Sequence, residues 1–255
     1  MRFLFLLVIG LSLVACGGTT ESGSEESSSP SLESANYTLT PFAKSQEFSD
    51  ASINLVSYKN GMWDFEVGGS TYELGVQTSD VESKGCANSA KGQHIHLIAD
   101  NAPYAAKYEA NFKHDIGDGN HAVLAFLSRS YHESIKTESA HTVRLVNIKD
   151  GHVRVIDHIS DPMVFYSRPK GVYEGEDTKR VMLDYYMVNT NPDHYVQADI
   201  NGDIFDLKDW QPYYIDGLPA GDNTIKLSLL DKDGALVVSH NNPVSRTFKL
   251  NPAPK

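Results

Sequence analysis

The sequence predicts an all-β chain of two tandem β-sandwiches behind a leader and a polar tether. Three observations predict it. From about residue 52, short alternating runs rich in β-branched and aromatic residues recur. Turn pairs punctuate them, among them Asp150-Gly151, Asn201-Gly202 and Asp233-Gly234. Segments of the two halves also align in the same order, as a tandem duplication would leave them. The 255 residues suit one or two domains, and 40% hydrophobic content supplies a core. Thirty-three acids against 22 bases give a net charge of −11, which argues against a nucleic-acid partner. Two cysteines exclude a disulfide framework.

Residues 1–15 read MRFLFLLVIGLSLVA, one Arg followed by an apolar run too short to span a bilayer. The run ends in Leu13-Val14-Ala15-Cys16. This segment resembles the lipobox of bacterial lipoproteins. The resemblance implies cleavage before Cys16, diacylation of its thiol and acylation of the new amine, so that several chains anchor the protein stably to a membrane. Position 17 is Gly rather than Asp, unlike the inner-membrane retention signal, so the outer membrane of a Gram-negative bacterium is the expected address. Residues 16–50 then form a linker whose 17–36 stretch holds seven Ser and four Glu and cannot offset its ordering entropy by burial. Residues 37–50 are ambiguous.

Residues 51–156 are expected to form the first sandwich and residues 157–255 the second. Strands are read at Trp63–Val67, Tyr72–Val76, Ile95–Leu97, Ala122–Phe126, Val181–Val188, Tyr195–Ala198, Thr224–Leu230 and Arg246–Leu250. Pro103–His114 is read as a short helix. In the proposed duplication His94–Asn101 lies on Tyr195–Gly202, Gly119–Phe126 on Asp222–Leu229, and His141–Leu145 on Arg246–Leu250. The stretch Tyr213–Gly234, with its Gly217-Leu218-Pro219-Ala220-Gly221-Asp222-Asn223 corner, resembles the strand–turn–strand of bacterial immunoglobulin-like and fibronectin-like domains. The whole chain resembles Gram-negative envelope lipoproteins, some of them described as phosphopeptide-binding.

The aligned halves single out histidines. His94 and His96 replace Tyr195 and Gln197, and His121 replaces Thr224. By parity all three are expected on the outward face. His94 and His96 stand about 7 Å apart along one strand, a spacing that can hold Zn²⁺ or Cu²⁺ if a third ligand arrives. His121 is expected beside Asp100 and away from them. At the other end of the partner strand, a plain Asp-Lys-Asp-Gly turn in the second half becomes Arg129, Tyr131, His132, Glu133 and Lys136 in the first. The candidate metal set is therefore Cys86, His94, His96, His132 and Glu133. A candidate ligand set for phosphate or a peptide partner is Arg129, Tyr131, Lys136, Arg168 and Lys170, since Arg forks suit oxyanions. No G-x-S-x-G, H-E-x-x-H or P-loop pattern occurs, so a non-enzymatic binding role is expected. A protein or peptide partner, or a structural surface role without a small ligand, are the alternatives.

Overall fold

A computed structural model describes residues 32–33 and 36–254. The lipobox, Cys16 and most of the Ser/Glu tether lie outside the described residues. Among those described, regular structure is β-strand with three short 3₁₀ turns, and no helix is long and apolar enough to cross a membrane.

The described chain opens with β1 (Leu32–Glu33) and β2 (Thr38–Pro41), then the hairpin β3 (Ser52–Lys59) and β4 (Met62–Gly68). β5 (His94–Ala99), β6 (Ala105–Lys107), β7 (Asn111–Lys113), β8 (Gly119–Ser128), β9 (His141–Lys149) and β10 (His152–Asp157) complete the first unit. The second holds β11 (Met163–Arg168), β12 (Val172–Glu174), β13 (Arg180–Val188), β14 (Tyr195–Ile200), β15 (Asp203–Leu207), β16 (Tyr213–Asp216), β17 (Gly221–Leu230) and β18 (Val244–Asn251).

In the first unit one eight-stranded sheet, ordered β6-β5-β8-β9-β10-β3-β4-β7, folds over on itself. Its two wings enclose a core of Ile53, Trp63 and Phe65 against Ile95, Leu97, Val123 and Leu127. The second unit is a sandwich of the sheets β1-β2-β16-β13-β11 and β12-β18-β17-β14-β15. β18 displays the cause of its strand plainly, with strict buried–exposed alternation over Val244–Asn251. The Asn60-Gly61 and Asp150-Gly151 turns both hold φ near the left-handed region (51° and 77°, 53° and 70°), as tight hairpins require.

Three expectations need correction. Tyr72–Val76 is not a strand; its Tyr72 hydroxyl instead donates toward the carbonyls of His94 and Ser128. Pro103–His114 is not a helix but holds the edge strands β6 and β7. Residues 37–50 are not wholly tether: β2 pairs with β16 of the second unit, and Tyr37 and Leu39 enter that unit's core. Apolar Tyr37, Leu39 and Phe42 inside a polar stretch are the physical reason.

The two units repeat one pairing scheme, in a different register from the one read off the sequence. Val123 opposes Ala99 and Arg144, just as Ile225 opposes Ile200 and Arg246. His121 therefore matches Asn223, not Thr224, and Arg144 rather than His141 matches Arg246. One bonding pattern confirms this. Asp100 accepts from the His121 ring at 2.7 Å and the Ala122 amide, while Asn201 engages Asn223 and the Thr224 amide. His121 thus shares the parity of core Val123 rather than facing outward. The slip has a cause: β8 runs Ala-Val-Leu-Ala-Phe-Leu because both its faces are covered, so its parity is unreadable.

The second covered face is the seam between the units. Ile98, Leu124, Phe126 and Val143 pack there against Met163, Phe165, Tyr186 and Val188 of the second unit. Lys136 reaches across it to the fully buried Asp184 at 2.6 Å. This seam positions the site.

Candidate metal centre

His94 and His96 leave the first unit's core on the same face as Ile98. They do not meet solvent, as the sequence reading expects of that face. Tyr104, Tyr108 and His132 of the first unit close over the rings, Ser167 of the second unit reaches His96, and both histidines are 0% exposed. Parity identified the direction, but nothing in parity reveals the segments folded over it.

The third imidazole arrives from the turn after β8. There the Arg129 amide donates to the Glu133 carbonyl and the His132 amide to the Arg129 carbonyl. The second unit builds the same turn at Asp231–Ala235, with Gly234 in the place of His132. Gly234 has φ +79° and His132 has φ +71°. A side chain in this conformation costs about 1–2 kcal/mol, which glycine avoids. The first unit thus carries a strained histidine where its counterpart carries a relaxed glycine, and strain of this kind collects at functional positions.

The His94 Nε2 lies 2.8 Å from His96 Nε2 and 3.0 Å from His132 Nδ1, and one ligating atom from each ring falls within 4.8 Å of the others. The rings are held from behind. His94 Nδ1 sits 2.8 Å from the Gly92 carbonyl, an acceptor only, so the proton is on Nδ1 and the Nε2 lone pair faces the centre. Tyr104 stacks on His96 at 3.6 Å between centroids and 10° between planes, Phe126 meets its other side edge-on, and Ser167 Oγ lies 3.4 Å from its Nδ1. The Tyr104 hydroxyl is 3.4 Å from His132 Nδ1. Burial is the leading cause that keeps all three rings neutral. It draws His94 down to about 4 and holds His96 and His132 well below the usual imidazole value, with Arg168 and Lys170 adding to the effect. With His94 Nε2 unprotonated, the short contacts are hydrogen bonds it accepts from His96 Nε2–H and His132 Nδ1–H, and a metal ion would take the place of those protons between neutral rings.

The other two members of the expected set stand outside this group. Cys86 packs against the cluster of Phe42, Tyr131, Met182 and Tyr214. Burial pushes its thiol up to about 11, away from the thiolate a metal needs. Glu133 faces away from its neighbour His132, toward Ser45 and Arg129.

The expected ligand residues are mostly committed inside the fold. Arg129 donates through Nε and Nη2 to the Gln46 carbonyl, and Tyr131 is fully buried with its hydroxyl on Asp80. Lys136 is tied to Asp184. Lys170 donates to the Tyr104 carbonyl at 2.8 Å and stands 3.9 Å over that ring. Arg168 is buried, its Nε has no hydrogen-bond partner, and it makes no ion pair among the described residues. Sequence reading missed Tyr104, Gly92 and Ser167. Tyr104 fell inside the segment misread as a helix, and the other two are ordinary loop and strand residues until the fold brings them behind the histidines.

The fold and the site together define a two-unit β-protein with a buried three-histidine centre at the seam of its units. No family model matches the chain, and no curated protein matches it. Solved structures do. The fibronectin(III)-like modules of Clostridium thermocellum CbhA match at 11% identity, covering 79% of this chain and 95% of theirs, with a TM-score of 0.29. The extracellular domain of a putative hybrid two-component system from B. thetaiotaomicron matches at 12% identity over 88% of this chain, with a TM-score of 0.28. This chain covers 44% of that domain. Likeness at this level says nothing of ligand or partner.

Proposed function

We propose that this chain is a non-enzymatic binding protein of the cell envelope that holds one divalent transition-metal ion, zinc or copper, on His94, His96 and His132. One observation carries the reading: three neutral ring nitrogens converge at the seam, one of them on a residue that accepts backbone strain to be there. Zinc–nitrogen bonds of about 2.0–2.1 Å set tetrahedral ligand atoms about 3.4 Å apart. The 2.8 and 3.0 Å separations open to that value with shifts of a few tenths of an ångström, while the set as a whole, spread over 4.8 Å, closes by a movement of the His132 turn toward His96. Imidazole-rich sites suit zinc and copper among the common divalent ions. The envelope address rests on the lipobox resemblance at Leu13–Cys16 and on the polar stretch that follows. A peptide-binding face built on Arg129, Tyr131 and Lys136 gains no support, because those side chains are spent on internal partners.

Calorimetric titration of chelator-stripped protein with zinc tests the proposal. One equivalent should bind, and binding should be lost in His132→Gly. A folded protein that gives no zinc heat, and no copper heat in a parallel titration, overturns it.

A further inference from the structure

Of the four buried cations among the described residues, Lys84 has Asp80 and two carbonyls, and Arg129 has Glu133 and the Gln46 carbonyl. Arg246 has two carbonyls, and Arg168 has neither a carboxylate nor a carbonyl. The residue is 7% exposed, yet its guanidinium has no ion pair among the described residues and only the Tyr173 side chain beside it. Its Nε is closed off from solvent with nothing to donate to. The Tyr166 hydroxyl is closed off and unpartnered as well, and the Arg168 guanidinium lies 5.5 Å from the Tyr173 ring centre, with that side chain as its polar neighbour. A bulge in β11 between Tyr166 and Arg168 shifts the register there, a device that re-aims a side chain.

Two more cations stand nearby. Arg246 lies 4.3 Å over the Tyr166 ring and donates to the carbonyls of Ser167 and Asn101. Lys170 lies over Tyr104. None of Arg168, Lys170 and Arg246 has a carboxylate within ion-pair distance among the described residues, although acids outnumber bases in the chain. Burial, with Arg168 and Arg246 adding repulsion, brings the Lys170 ammonium down to about 8. Buried polar and charged groups left unpaired are costly and call for a partner.

We propose that the seam beside the three histidines binds a small oxyanion, held by the Arg168 guanidinium and the Lys170 ammonium with the Tyr173 hydroxyl as a further donor. Arg forks and lysine ammoniums are the usual donors to phosphate and carboxylate oxygens. The site uses none of the metal-binding residues, so it goes beyond the metal reading and does not depend on it. The two are expected to cooperate. Arg168 and Lys170 act on all three imidazoles, and a bound anion offsets the repulsion a metal dication meets there.

Equilibrium dialysis of chelator-stripped protein against labelled inorganic phosphate, at fixed ionic strength in sodium chloride, tests this. The expected result is one saturable site, lost in Arg168→Gln and weakened at least tenfold in Lys170→Met. Competition by acetate identifies a carboxylate ligand, and its failure to compete identifies a phosphate ligand. If Arg168→Gln does not fold, Lys170→Met decides alone. Phosphate uptake that does not saturate, or that is equal in wild type and Lys170→Met, overturns the proposal. Zinc binding measured separately in phosphate-free buffer shows whether the metal reading stands or falls by itself.

Discussion

Replacing His132 by glycine separates function from folding more cleanly than any other change in this protein. The substitution restores the residue that the second unit uses at the same turn position. It relieves a φ of +71°, worth about 1–2 kcal/mol. Against that stand the extra chain entropy of glycine, about 0.5–1 kcal/mol, and the lost burial of a largely buried ring, about 1–2 kcal/mol. The terms largely offset, so metal-free stability should stay within about 2 kcal/mol of wild type. His94→Ala should behave differently. That ring is fully buried, and its loss leaves a cavity costing about 2–4 kcal/mol and a Gly92 carbonyl without its donor. Zinc affinity should fall in both variants by more than about 100-fold, beyond what loss of an outer-shell partner does. Urea denaturation in chelator gives the stabilities, and competition with a chromophoric chelator gives the affinities. A His132→Gly protein that loses 3 kcal/mol or more and still binds zinc as wild type does would refute the reasoning, making His132 a packing residue.

Other outcomes follow from the same structure. Lys136→Met leaves Asp184, which is 0% exposed, without its counter-charge, and should cost about 3–5 kcal/mol by urea denaturation at neutral pH; a loss under 1 kcal/mol would contradict the buried pair. Leu39→Ala should cost about 2–5 kcal/mol, because Leu39 lies in the core of the second unit; a tether residue would cost nothing. Cys86, with its thiol pushed up to about 11, should resist iodoacetamide at pH 8 in the native protein and react on unfolding. Lys170 is drawn down to about 8, so it is charged below that pH and neutral above it. Oxyanion affinity should therefore fall as pH rises through about 8, and this step should vanish in Lys170→Met.

How legible each element was depends on how many of its faces are covered. β14, β17 and β18 alternate because one face is core and the other solvent, and their positions are plain in the sequence. β5, β8 and β11 are buried on both faces, so Met163–Arg168 offers no alternation and the parity of β8 is lost. That loss placed His121 on the wrong face. The histidine set was partly legible, because replacing Tyr195, Gln197 and Gly234 by three histidines departs from the duplication in one direction. Cys86 and Glu133 were drawn in by proximity along the chain, which does not say where a loop residue points. The partners that fix the rings, Gly92 and Tyr104, and the unmatched Arg168 depend on contacts between segments distant in sequence.

X-ray absorption at the zinc edge of the loaded protein reads the three-histidine ligation itself. A nitrogen shell at about 2.0–2.1 Å with the multiple-scattering signature of three imidazoles is expected, reduced in the His132→Gly variant. A sulfur shell at about 2.3 Å, which would place Cys86 on the metal, or a zinc signal unchanged by removal of His132, would contradict it.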